Sequence, residues 1–543
     1  MRSPSASGYD AVIVGGGHNG LVCACYLATG GLKVAVFERR DVVGGAAITE
    51  EFQPGFRNSS ASYTVSLLHP KVIRDLRLAA HGLQIVERPL ANFLPLSDQE
   101  YLKVGGGLAA TQAEVGRRSQ KDAQALPGYY AMLERVANVV RALLLETPPS
   151  LGGGTAELVR AWRAGRGLKR LSLSERRDVL DLFTKSAGDV LDQWFESDPI
   201  KAAFGFDAVV GNFASPYTPG SAYVLLHHVI GEVNGKRGQW GHALGGMGAI
   251  TEAMAREARR QGVAIFTGAP VARVTARDGA VTGIALADGT EIAAPRVVAN
   301  VNPKLLYLQL IESSALEPEF RRRIEGYRCA SATFRMNVAL DTAPEFTCLP
   351  GDGPHLRSGI ILAPSLAYME RAYFDARTMG WSREPIVELL IPSLVDPSLA
   401  PPGKHVASLF CQHANPLLPD GRSWDAAREE VADLMLRTVT RFAPNFAATV
   451  IARKVLSPLD LERDFGLVGG DIFHGQLMLD QLFAARPVLG HGDYRGPLRG
   501  LYMCGAGTHP GGGVSGVPGH NAAREILRDA RRRTHRASRG VAK

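Results

Sequence analysis

Cysteine is scarce in this chain, with six in 543 residues, and what there is stands badly spaced for redox work. A secreted disulfide scaffold needs a far denser set. A dithiol reductase needs a C-x-x-C or C-x4-C pair, and Cys23, Cys25, Cys329, Cys348, Cys411 and Cys504 provide neither. On a helix, Cys23 and Cys25 would face about 200° apart, so they read as small packing residues. No grouping of Cys, His, Asp and Glu has metal-ligand spacing, so no metal is expected. No stretch approaches the roughly 18 uninterrupted apolar residues of a spanning helix. Too few residues precede the first predicted strand for a signal peptide or a matrix-targeting helix, so a cytoplasmic location is expected. Excess positive charge is also scarce outside one place. Of the net charge of +8, six basic residues (Arg531, Arg532, Arg533, Arg536, Arg539, Lys543) crowd residues 531–543, which hold no acid. The rest of the chain is close to neutral, which argues against a nucleic-acid partner. The basic tail is expected to be unstructured, capable at most of weak contact with anionic lipid. A hydrophobic content of 45% and a charged content of 21% are those of a globular protein. The length exceeds one ordinary core and predicts two or more domains.

The chain opens on a complete dinucleotide-binding unit. Tyr9–Val14 is a short apolar run, followed at once by Gly15-Gly-Gly17-His-Asn-Gly20. A helix is predicted over Leu21–Ala28 and a second strand over Lys33–Phe37, with Glu38 at its carboxyl end. Each part has a job: Gly15 permits the tight turn, Gly17 lets backbone approach a pyrophosphate, and Gly20 lets the helix pack closely on the strand. The helix N-terminus offers free N–H groups to phosphates. Glu38 can accept from the hydroxyls of an adenosine ribose and would repel a 2′-phosphate, which disfavours NADP.

Gly44-Gly45-Ala46, shortly after Glu38-Arg39, lets the chain run beside a ligand beyond the ribose. Near the other end, the strand-like Leu501–Met503 enters Gly505-Ala-Gly507, and a helix is predicted from Asn521. These two segments resemble the flavoprotein pattern of the amine oxidase and phytoene desaturase superfamily. Internal stretches such as Leu191–Ser197, Thr218–His228 and Asp471–His474 are similar to phytoene dehydrogenase-like flavoproteins, and the likeness spans roughly residues 9–527. The resemblance implies an α/β fold: a discontinuous Rossmann-type FAD-binding domain (1–80, 241–303, 495–530) with a mixed α+β substrate domain (81–240, 304–494). It implies noncovalent FAD held by Gly15, Gly17, Gly20, Glu38, Arg39, Gly44, Gly45, Ala46, Val271, Gly505, Gly507 and Val517. An animal member of the family being mitochondrial, the mitochondrial matrix is the alternative location.

Between these ends, a helix is predicted over Ala249–Gln261. A three-stranded meander is predicted over residues 272–292, with Asp-Gly turns at Asp278-Gly279 and Asp288-Gly289. Tyr129–Leu145 reads as helix, and Leu151–Thr155 as a flexible glycine loop. No second strand–glycine–helix unit is present, because Gln239–Leu244 ahead of Gly245-Gly-Met-Gly248 makes a poor strand. The flavin is therefore expected to pass electrons directly to oxygen or a quinone. Trp240, His474 and His509 are the candidates to line the reaction pocket. The expected function is an FAD-dependent oxidoreductase that dehydrogenates a small hydrophobic substrate. The alternatives are a flavin amine oxidase of the same fold, or a flavin-binding isomerase or regulatory protein without net turnover.

Overall fold

The computed structural model describes residues 8–150, 154–331 and 333–541. Ala11–Val14 and Val34–Phe37 are unbroken runs of Ala, Val, Ile and Phe, buried along their whole length. Such runs suit parallel strands covered on both faces. They lie at the heart of a five-stranded sheet ordered Ala264–Phe266, Val34–Phe37, Ala11–Val14, Val297–Ala299, Leu501–Met503, with every pairing parallel. One face packs on three helices, His18–Thr29, Gly248–Arg260 and the one beginning at Val517, through Leu21, Leu27, Met254 and Ile526. The other face is covered by the meander Val271–Ala293 and by Leu306, Tyr307 and Ile324. Asp278 and Gly279 both take positive φ (51° and 70°), the geometry of a tight hairpin turn.

A second sheet of seven strands is ordered Val450–Leu456, Thr333–Leu340, His405–Ala414, Trp381–Leu390, Gly359–Leu362, Asn92–Pro95, Tyr101–Val104. It is mixed, since Gly359–Leu362 runs parallel to Asn92–Pro95 and the other pairings are antiparallel. One face packs on the helix Trp424–Thr440. The other turns toward a block of helices centred on Tyr129, Phe204 and Leu225.

Several boundaries differ from the sequence reading. The helix expected from Tyr129 begins at Gln120 and runs through Pro127 to Leu144. Ser119 caps it by accepting from Asp122 N at 3.0 Å, and its buried stripe of Leu126, Tyr129, Met132 and Leu133 continues across the proline. The last helix begins at Val517 rather than Asn521. It continues to Val541, where an unstructured tail was expected. Residues 531–539 contain no proline or glycine and are mostly Arg, a good helix former. Gly241–Ala243 does form a short strand, but it pairs antiparallel with Ile85–Glu87 outside the five-stranded sheet. Of the predicted glycine loop, Leu151–Gly153 lies outside the described residues. Among the described residues, no helix is long and apolar enough to cross a membrane.

Candidate cofactor and reaction site

The glycine turn is built on close backbone contacts. Gly15 has φ of 96° and donates from its N–H to Phe37 O at 2.8 Å. A Cβ on Gly20 would stand 2.4 Å from Gly15 O, so the helix His18–Thr29 sits against the strand only because residue 20 has no side chain. Asn300, just past the strand Val297–Ala299, braces the turn from below by donating from Nδ2 to Gly15 O at 3.2 Å. Gly17 occupies the N-cap position, and no side chain caps the helix, leaving its first N–H groups available to an anion. The second glycine pair lies against the first: Gly44 N donates to Gly16 O at 2.9 Å. A Cβ on Gly45 (φ 57°) would come within 3.2 Å of Gly17 Cα.

Glu38 is 6% exposed. One carboxylate oxygen accepts from Gly16 N at 2.7 Å and the other from Arg40 N at 3.0 Å. Two backbone donors thus fix the acid at the strand end, with its edge on the cavity. Arg39 donates to Arg463 O at 2.8 Å, and Arg40 pairs with Glu50 at 2.5 Å and lies 4.7 Å over the Phe465 ring. These contacts bring the segment Asp464–Leu467 over the mouth.

The result is a cavity of about 350 Å³. Of the residues singled out in the sequence, Gly15, Gly17, Glu38, Arg39, Gly45, Ala46, Val271 and His474 line it together. Gly20 and Gly44 lie behind this wall as packing positions. Gly505 and Gly507 are packing positions too: a Cβ on Gly507 would stand 2.5 Å from the Pro303 ring, and one on Gly505 3.2 Å from Asn300 Oδ1. Between them Ala506 reaches the cavity. Val517 is buried at the start of the last helix. The sequence reading missed His18, Asn19, Asn300, Gln309 and the Asp464–Leu467 segment, all of which line the cavity. His18 and Asn19 stood in the variable positions of the glycine fingerprint, where a signal was available. The others carry none.

His509 and Trp240 do not line this cavity. His509 was expected beside the flavin, yet its Nε2 meets Leu143 O at 2.9 Å and its ring packs edge-on to Phe483. Burial lowers its pKa to about 4, so it is a neutral structural histidine. Trp240 lies outside the cavity, stacked on His228 at 5.9 Å with Arg88 5.6 Å over its ring. Around it, Tyr223, His227, His228 and Phe473 form an aromatic cluster. That cluster touches the C-terminal glycine loop: a Cβ on Gly512 would meet Phe473 Cδ1 at 2.5 Å, and one on Gly513 would meet His227 Nε2 at 3.4 Å. Burial lowers His227 to about 3 and His228 to about 4, so both are neutral.

Arg486, fully buried, ties the cavity wall together. It donates to Ala506 O at 2.8 Å, Phe473 O at 2.7 Å, and Gly475 O, Gln476 O and Gln481 O at 3.2 Å each. All six cysteines are unpaired. Burial, with Cys504 beside it, pushes the Cys23 thiol up, which makes it a packing residue. Among the described residues no cluster could hold a metal.

FAD fits this site. Bare glycine backbone on two sides leaves room for a pyrophosphate, and the fixed acid waits at the strand end. Four buried polar atoms on the cavity's own residues, His18 Nε2, Asn19 Oδ1, Arg40 Nη1 and His474 Nδ1, have no protein partner. Glu38→Ala removes the acid expected to accept from the ribose and frees Gly16 N and Arg40 N. It is expected to weaken FAD binding by roughly 1–3 kcal/mol, the scale of a lost charged hydrogen bond. Titration of apoprotein with FAD by fluorescence quenching reads this, and an unchanged Kd would remove Glu38 from the site.

Comparison with known proteins agrees. The family model for flavin containing amine oxidoreductases matches residues 20–527. The chain is 42% identical to "Pyridine nucleotide-disulfide oxidoreductase domain-containing protein 2" of Rattus norvegicus, covering 96% of this chain and 94% of the relative. It is 24% identical to a limonene dehydrogenase chain of Castellaniella defragrans, over 96% and 94%. In fold it matches wild-type putrescine oxidase bound to putrescine, with TM-score 0.58 and 15% identity over 97% and 99% of the two chains.

Proposed function

The chain belongs to the flavin containing amine oxidoreductase family and is an FAD-dependent oxidoreductase; from that premise we propose that it dehydrogenates a small apolar substrate. The observation that carries this reading is the aromatic cluster of Tyr223, His227, His228 and Phe473 against the glycine loop at residues 511–516. FAD, when bound, supplies a two-electron acceptor at the flavin N5. The chain's own part is to hold a C–H bond there and keep water out. A neutral, desolvated wall does both: apolar area favours an apolar substrate, and the buried histidines carry no charge to draw water in. Limonene, named in one relative, is a hydrocarbon, which agrees with an apolar substrate.

Reoxidation by oxygen or a quinone fits the same architecture. The turn Gly245–Gly248 follows a strand paired antiparallel with Ile85–Glu87, not one of a parallel nucleotide sheet, so a docking unit for NADPH is not built there. Mixing the oxidised holoenzyme anaerobically with cyclic alkenes and polyenes, with primary amines, and with NADPH tests the reading. Bleaching of the flavin by an apolar alkene is the expected outcome. Saturable bleaching by amines alone would instead establish an amine oxidase, and rapid bleaching by NADPH a nicotinamide-driven enzyme.

A further inference from the structure

Two histidines from distant parts of the chain meet at the N-terminus of the first helix. His18 is the first residue of His18–Thr29. His474 arrives from the loop after Asp471. Both line the cavity, and they are near enough that charge on His474 would oppose protonation of His18. Burial, reinforced by His474, lowers His18 to about 3. Burial, reinforced by Arg486, lowers His474 to about 4. Each therefore keeps one N–H to donate and no charge.

The loop that carries His474 is built to hold it there. His474 has φ of 57°, the left-handed region, which is unfavourable for a residue with a Cβ. Its neighbours fix that conformation. Asp471 accepts from Phe473 N at 2.8 Å and from Ala330 N at 2.9 Å. Tyr327 donates from its hydroxyl to His474 O at 2.9 Å, and Arg486 holds the carbonyls on either side, Phe473 O and Gly475 O. Strain kept in place by so many partners marks a functional position. Yet the imidazole reached by this effort has a buried Nδ1 with no protein partner. Its companions are in the same condition: His18 Nε2 and Asn19 Oδ1 are buried without a partner, and Asn19 is 1% exposed. Unsatisfied buried polar atoms are costly, and the two imidazole nitrogens, which unlike the Asn19 oxygen can donate, lie where a helix dipole and uncapped N–H groups favour an anion.

We propose that His18 and His474 form an imidazole clamp on the FAD diphosphate, with His474 supplied by the loop at residues 471–475, far in sequence from the glycine turn. The clamp adds side-chain donors to the backbone donors of the glycine turn. It also joins cofactor retention to a loop that carries Phe473 of the aromatic cluster. Glu38, Arg39, Arg40 and Asp464 also face this cavity; Glu38 and Arg39 are occupied by the backbone contacts described above, whereas Arg40, paired with Glu50 through Nη2, keeps a buried Nη1 without a protein partner.

Apoprotein of wild type, His474→Ala, His474→Gln and His18→Gln is titrated with FAD, and the 31P NMR spectrum of bound FAD is recorded for each. His474→Ala should weaken binding by about 10- to 100-fold, the scale of a lost hydrogen bond to a charged group. His474→Gln and His18→Gln, which keep an N–H donor, should stay within a few-fold of wild type. Both substitutions at 474 should shift the diphosphate resonances. A wild-type Kd in His474→Ala, or diphosphate resonances unmoved in His474→Gln and His18→Gln, would overturn the clamp. If the alanine variant does not fold, the glutamine variants and their 31P spectra decide alone, because a merely structural histidine would not move those resonances.

Discussion

Gly20→Val is expected to give a protein without FAD and with greatly reduced stability. The reason lies in the backbone. The first side-chain carbon would sit 2.4 Å from Gly15 O and 2.9 Å from Asn300 Nδ2. Gly15 directly follows the central strand Ala11–Val14 and is tied to the adjacent strand by its own N–H bond to Phe37 O, so its carbonyl has little room to retreat and the helix His18–Thr29 must lift. Overpacking of this kind costs about 1–3 kcal/mol or more. Lifting the helix also moves its N-terminus, together with His18 and Asn19, away from the diphosphate position. Flavin released on denaturation, measured against protein concentration, should fall to a small fraction of wild type, while circular dichroism reports how much fold survives. Full flavin occupancy would mean that the turn is not the cofactor site. Gly17→Val should also lose FAD, but with a smaller stability cost, since its nearest obstruction is the Asn300 side chain at 2.9 Å rather than backbone.

The second large effect belongs to Arg486→Met. The side chain is fully buried and no carboxylate is hydrogen-bonded to it; five backbone carbonyls are its acceptors. Methionine fills similar space and satisfies none of them. Each buried acceptor left unmade costs about 1–3 kcal/mol, partly offset because the guanidinium no longer has to be desolvated. A net loss of about 4 kcal/mol or more is expected, a large share of a typical stability of about 5–15 kcal/mol. Lysine should rescue poorly, because a single ammonium cannot span the positions that a planar guanidinium reaches. Denaturant unfolding of the holoenzyme measures this, with thermal melting as a second readout. A variant melting within about 2 °C of wild type would show that these carbonyls find other donors.

What could be read from the sequence was whatever the backbone itself constrains. The strand–glycine–helix–strand unit at Ala11–Glu38 was legible because only glycine satisfies those contacts and because fully apolar strands flanking a glycine turn have few other uses. The meander was legible from its Asp-Gly turn. Arg486 was illegible, because a buried arginine serving carbonyls looks in sequence like any arginine before a proline. The cavity's outer wall was illegible for a related reason. Asp464–Leu467 meets the glycine turn through contacts of Arg39 and Arg40 with Arg463 and Phe465, Arg39 and Arg463 being 424 positions apart in the chain. His509 stays out of the cavity lining, because a glycine-rich segment fixes where the backbone passes but not where a side chain points. His474 drew attention through its neighbours, while His18, inside the fingerprint itself, drew none.

The order of the nucleotide sheet bears on how the protein is made. Leu501–Met503 closes the edge beside Val297–Ala299, so one strand of the cofactor sheet is synthesised long after the neighbour it pairs with. At about 5–20 residues per second, Val297–Ala299 waits on the order of 10–40 s for that partner. Throughout that interval it presents a bare apolar edge of the kind that invites pairing with other chains. The glycine turn, although complete early, lacks Ala506 and His474. The cavity is complete only once Ala506 has been made, and a chain cut short before Leu501 is expected to forfeit its cofactor, whatever remains of its first domain.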